Sequence, residues 1–204
     1  MKLLFIVLLS IYFTTGFCQN KEISFQGYSH SKKKGFQVTV SEKDDFLKVE
    51  FLKLDTISNQ INNDKNYKRN STKIRKLTKS KNPSPRLIEQ LAIEYIELRN
   101  KYTFQKKDII IINRNQYQSY NDSFLQIFKT PIDVLKNKKK TRIVLDGKLI
   151  STILKNKNRK LLINLNSPNE TSNPILISFL KETLNLYRIQ NIDNNSNSEY
   201  TLGY

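Results

Sequence analysis

The sequence predicts an α+β fold, an antiparallel sheet of about five to seven strands covered on one face by two main helices. Three observations predict it. Strict period-two alternation recurs in short stretches, as in Phe36-Gln37-Val38-Thr39-Val40. Asp146-Gly147 stands between two alternating apolar runs, a strong hairpin signal because both central residues of that turn need positive φ. Two longer stretches, 85–99 and 174–187, repeat their apolar residues at three- and four-residue spacing, which is the helix period.

Taken in order, Ile23-Ser24-Phe25 starts the strands, and Gly35 opens the run 36–40. Asp44-Asp45 breaks the chain, and 46–54 follows with Leu47, Val49 and Phe51 on one face. These pieces predict an N-terminal hairpin. Residues 55–84 are rich in Asn, Lys, Ser and Thr, with isolated Ile57, Ile61, Ile74 and Leu77. They read as a polar, mobile insertion or a weak basic helix around Thr72–Lys79, and as the first place to seek an interaction segment. Ser84 as cap and Pro85 at the first helical position then start a helix. Its apolar stripe is Leu87, Ile88, Leu91, Ala92, Tyr95, Ile96 and Leu98.

Ile109–Ile112 reads as a short buried strand, and Asp122 to Phe128 as a brief helix ended before Pro131. Thr141–Leu145, Lys148–Leu154 and Leu161–Leu165 predict a three-stranded meander, turned at Asp146-Gly147 and Asn156-Lys157-Asn158. Pro174, with Asn173 as cap, opens the second main helix. Residues 189–204 are Asn- and Ser-rich and read as a flexible tail. The stretch 19–188 is expected to be a single domain.

The N-terminus carries its own signal. Met1-Lys2 is a positive start, Leu3 to Phe13 is nearly all apolar, and Thr14-Thr15-Gly16 is small and polar. That order predicts a signal peptide over 1–18, too short for a spanning helix. Gly16 and Cys18 occupy the small-residue places of a cut before Gln19. The alternative is lipid anchoring through Cys18, although Phe17 is a bulky neighbour for that chemistry. Cys18 is the only cysteine, so a cut after it leaves no disulfide, thiolate nucleophile or cysteine-bound metal. No later stretch is long enough to span a bilayer. The protein is therefore expected to be exported, periplasmic or secreted.

Lys and Arg number 35 against 18 Asp and Glu, a net charge of +17. Such a balance suits anionic partners, whether nucleic acid, acidic glycan or anionic lipid. The cations are mostly Lys and accompany abundant Asn and Ile, as an AT-rich genome also produces. Candidate polyanion contacts are Lys136, Lys138, Lys139, Lys140 and Arg142, with Lys155, Lys157, Arg159 and Lys160 beyond the turn. Further basic patches are Lys32–Lys34 and the group Lys73, Arg75, Lys76, Lys79 and Lys81. Stacking aromatics do not interleave them, so a solvated basic rim is the competing reading.

Catalytic patterns are sparse. His30 is the one histidine and sits in a polar stretch without a carboxylate or nucleophile nearby. Ser-x-x-Lys occurs at Ser31…Lys34 and Ser178…Lys181, but no companion Lys-Thr-Gly follows. Asp133, Asp146 and Lys148 loosely resemble the acid-acid-lysine signature of a divalent-metal nuclease superfamily. There, two carboxylates hold Mg²⁺ and the Lys supports the attacking water. Here Ile132 interrupts the Pro-Asp pair, and Asp146-Gly147 reads as a turn. No Gly-rich phosphate loop or acidic calcium loop occurs, and no cofactor is expected.

Val144-Leu145-Asp146-Gly147, Asn166-Ser167-Pro168, Asn173-Pro174 and Phe179 to Arg188 resemble a recurring C-terminal pattern. It is found in small, uncharacterised secreted and periplasmic proteins of low-GC Gram-negative bacteria, and the leader ending in Gly16-Phe17-Cys18 is similar to theirs. The resemblance implies an envelope location and carries no activity. The expectation is an exported, non-catalytic binding module whose partner is an envelope protein or an anionic polymer. Polyanion binding through the lysine clusters and metal-dependent nuclease action are the alternatives.

Overall fold

Among the described residues, alternation along the chain builds six strands, all paired antiparallel. They are β1 (Glu22–Ser29), β2 (Lys34–Lys43), β3 (Phe46–Ile57), β4 (Thr103–Asn113), β5 (Leu149–Asn156) and β6 (Arg159–Asn166), in the order β4-β3-β2-β1-β5-β6. The helices are α1 (Lys65–Thr78), α2 (Pro85–Lys101), α3 (Gln118–Lys129), α4 (Ile132–Lys136) and α5 (Pro174–Gln190), with a 3₁₀ turn at Asn59–Asn63. This computed structural model describes residues 21–29, 34–80, 84–136, 149–157, 159–166, 168–190, 200–201 and 204.

Register converts the period-two pattern into two faces. Phe25 pairs with Val38, Val38 with Phe51, and Val49 with Ile110. All four strands thus send apolar side chains to one side, where they are buried. Helices α3 and α5 seal that side with Tyr120, Phe124, Phe179, Leu180, Leu184 and Tyr187. Phe179 is central: its ring lies 5.0 Å from Tyr120, 6.1 Å from Phe124 and 6.3 Å from Phe25. At the close of the first hairpin, Gly35 faces Tyr28. A Cβ there would collide with the Gly27 carbonyl oxygen, so only glycine passes.

The α+β class holds, but the two main helices do not share a face. Ile93, Ala92 and Ile96 of α2 pack on Ile153 and Leu162. Those residues alternate with Leu154, Leu161 and Ile163, which join the core on the side of α3, α4 and α5, so α2 lies across the opposite side. The reason is that β5 and β6 are apolar on both faces, and a helix stripe alone does not say which face it will meet.

Three other expectations change. Ile109–Ile112 belongs to a longer strand that forms a sheet edge among the described residues. Ile110 and Ile112 are buried, while Ile109 and Ile111 are about half exposed. The stretch 55–84 is built mostly of the end of β3, the 3₁₀ turn and α1, which starts at Lys65 rather than near Thr72. In the tail, Tyr200 donates to Asp55, Thr201 is buried, and the Tyr204 carbonyl accepts from Arg188. These residues dock because each brings a ring or hydroxyl with a partner on the domain. The leader with Cys18, His30, Lys32, Lys33, Lys81 and the expected strand and turn over 141–147 lie outside the described residues.

Candidate functional site

Helix α1 carries the densest charge among the described residues. Asp64 caps it, accepting from the amides of Asn66 (2.7 Å) and Tyr67 (3.0 Å). The Tyr102 hydroxyl also donates to Asp64, at 2.7 Å. That hydroxyl first, then the two amides, holds the carboxyl below its ordinary range. One side of the helix packs on α2. The Tyr67 ring stacks on Tyr95 at 5.0 Å, and the two hydroxyls are 2.8 Å apart. Burial, then the hydrogen bond to Tyr67, pushes the Tyr95 hydroxyl up to about 12. Asn70 is buried and donates to Glu94 at 2.9 Å.

At about 100° per residue, Tyr67, Asn70, Ile74 and Leu77 fall on that packed side. Lys65, Lys68, Arg69, Lys73, Arg75, Lys76 and Lys79 fall on the other, and all seven are exposed. No acidic residue lies between 65 and 79. None of Lys65, Lys68, Arg69, Lys73, Lys76 or Lys79 makes an ion pair or hydrogen bond through its side chain among the described residues.

This arrangement works against the helix that bears it. Lys65–Arg69, Arg69–Lys73 and Arg75–Lys79 are like charges one turn apart, each unfavourable by roughly 0.2–0.5 kcal/mol. Lys65 and Lys68 also sit at the positive end of the helix dipole, where acids are favoured. An anion laid along the face would relieve both.

The cluster expected from sequence has a different fate. The β5–β6 hairpin does bring Lys155, Lys157, Arg159 and Lys160 together. Carboxylates already engage two of them: Lys155 lies 2.7 Å from Glu22, and Lys160 lies 2.5 Å from Glu97. Lys157 is also engaged. Lys136 is exposed at the end of α4, and Lys138, Lys139, Lys140 and Arg142 lie outside the described residues. The basic segment at 73–79 was visible in the sequence. What was missed is its extension back through Lys65, Lys68 and Arg69, which the Asp64 cap signals.

Several of the catalytic candidates lie outside the described residues. Asp133 is exposed on α4, while Asp146 and Lys148 lie outside the described residues. Lys181 of the second Ser-x-x-Lys pairs with Glu170 at 2.6 Å. Among the described residues no group of three or more His, Cys, Asp or Glu is placed to hold a metal ion. A second ionic group sits under the apolar face. Tyr187 donates to Asp108 at 2.5 Å, and Lys53 lies 3.9 Å from the same carboxylate. The Tyr187 ring is sealed against Phe51 at 4.2 Å, so this group ties α5 to β3 and β4.

Two clefts flank the β5–β6 hairpin. One, of about 220 Å³, lies toward α3 and α4; the other, wider and polar, lies toward the start of α2. Among the described residues no helix is long and apolar enough to cross a membrane. No protein family, no curated protein and no solved structure matches this chain.

Proposed function

We propose that this chain is an exported, non-catalytic binding module whose ligand is an anionic polymer held along the outer face of α1. The observation that carries the reading is a set of six cations, Lys65, Lys68, Arg69, Lys73, Lys76 and Lys79, without a side-chain partner among the described residues, set against ion-paired lysines on the β5–β6 hairpin. The apolar side of α1 is used up against α2, so the helix has no buried-side residues left to insert into a lipid bilayer, as interfacial helices do. Its ring, Tyr67, is stacked on Tyr95 and is unavailable to stack on bases, so contact is by charge alone. Lysines of this kind recognise repeated charge without reading sequence.

The test is retention of the exported form, from Gln19 onward, on immobilised polyanions across a salt gradient. Displaced counterions make such binding fall steeply with salt, and six engaged phosphates on duplex DNA give a log–log slope of roughly −5. The triple variant Lys68→Glu, Lys73→Glu, Lys76→Glu should lose most of the retention while keeping its circular dichroism. Reversal of Lys155, Lys157 and Lys160 should change it less. If the two triple variants elute together, the α1 reading is overturned.

A further inference from the structure

A cleft opens at the corner between α3 and α4. Helix α3 ends at Lys129, Thr130 and Pro131 turn the chain, and α4 restarts at Ile132. Proline cannot continue the ladder of α3, so the two helices splay above the end of the β5–β6 hairpin. The result is an open-mouthed cavity of about 220 Å³. Its floor is the core itself, since Ile127, Leu135, Leu154 and Leu161 line it and are each at least nine-tenths buried.

The cleft opens to solvent, so its apolar floor can be reached from outside. Waters have polar partners at the rim, where Thr130, Lys155, Asn156 and Arg159 stand, and few on the aliphatic floor. Apolar cavities of roughly 150 Å³ accept benzene, so this one has room for a ring with a short arm. The mouth is chemically different from the floor. Arg159 lines it, and its guanidinium has no ion pair or hydrogen bond among the described residues. Lys155, also at the mouth, is held by Glu22. Arg159 also borders the second cleft, with Glu89 and Glu94 across it, and its planar, permanently charged fork stands at the edge of the apolar floor. That geometry matches a carboxylate, which a guanidinium can bind in two-point fashion.

We propose that this cavity binds a small amphiphilic monocarboxylic acid, its ring or branched alkyl end on the Leu154–Leu161 floor and its carboxylate on Arg159. The site is separate from the α1 face and does not depend on that face binding anything. An anion attracted only by net charge would need no apolar end and would show no preference for this corner.

The experiment is a titration of the isotopically labelled chain, followed by two-dimensional amide NMR, with phenylacetate and separately with its neutral analogue phenylacetamide. Saturable shifts confined to 127–135 and 154–161 are expected for phenylacetate, at an affinity near the millimolar range. Phenylacetamide should bind about tenfold more weakly, a difference of about 1.4 kcal/mol. Arg159→Gln, an exposed change that leaves the floor intact, should bring the acid down to the amide. The proposal is overturned if neither compound gives saturating shifts. It is equally overturned if acid and amide bind alike in both proteins, or if phenylacetate shifts α1 and spares the cavity.

Discussion

On one side of the sheet Phe25, Val38 and Phe51 are sealed beneath α3 and α5. On the other side, one residue further along, Gln26, Thr39 and Leu52 lie under or beside a single helix. The first side is mostly apolar, and burial holds it together. The second is stitched by amides: Asn100 of α2 accepts from Gln26 at 2.7 Å and donates to Gln37 at 2.5 Å. Thr39 continues the line by donating to Ser24 at 3.0 Å. The same strands supply both sides, so the difference lies entirely in which side chains alternate. The apolar side fixes the fold. The polar side is where α2 presents α1, and with it the charged face, to solvent.

The comparison breaks most severely at Phe179. Truncating Phe179→Ala removes three ring contacts from the sealed side and should cost about 3–5 kcal/mol. For a chain of this size that is a fall in Tm of roughly 6–20 °C, read by thermal unfolding. On the polar side Asn100→Ala removes two hydrogen bonds, but its partners are only partly buried and regain water. The expected loss is about 1–2 kcal/mol. If Asn100→Ala proves as damaging as Phe179→Ala, the two sides do not differ in the way described.

Thr152 sharpens the contrast in the opposite direction. It sits on the sealed side between Phe25 and Ile163, fully buried, and its hydroxyl finds no partner among the described residues. A hydroxyl that would be at home beside Ser24 is a liability here. Thr152→Val should therefore stabilise the protein by about 1 kcal/mol, visible as a higher denaturant midpoint at unchanged slope. Loss of stability would mean that the hydroxyl has a partner in solution.

How much of this was legible in the sequence follows from the same contrast. The sealed side announces itself, because Leu47, Val49 and Phe51 alternate and the stripe of α5 repeats at helical spacing. Helix α1 does not. Its packed stripe includes Asn70, whose partner Glu94 lies 24 residues away, so a hydrophobic pattern sees only Tyr67, Ile74 and Leu77 in a run of lysines. The Asp64 cap was the legible clue. Which face α2 would take was not legible, since Ile153 and Leu162 offer it a second apolar landing place. The lysines of the hairpin were visible as residues, but their neutralisation by Glu22 and Glu97 is a fact of tertiary structure. The cavity floor reads in sequence as ordinary core, and only the Thr130-Pro131 corner hints that the packing there is interrupted.

The smallest expected effect concerns Glu182, at the border between the sealed side and solvent. It sits on α5, partly buried, and burial raises its carboxyl above the ordinary value of 4.5. No ion pair or hydrogen bond offsets that burial among the described residues. Because the folded state favours the protonated form, the stability this group contributes is full below the unfolded value near 4.5. It is lost as pH rises through the higher folded value. At neutral pH the charged carboxylate is therefore a small burden. Glu182→Gln should raise the melting temperature slightly at neutral pH, and the gain should vanish on acidification below the unfolded value. Melting curves of both proteins from mildly acid to neutral pH would show the two lines converging toward acid. Parallel lines would mean that Glu182 reaches solvent freely, and that the border of the sealed side lies further inward than Tyr120 and Thr183 place it.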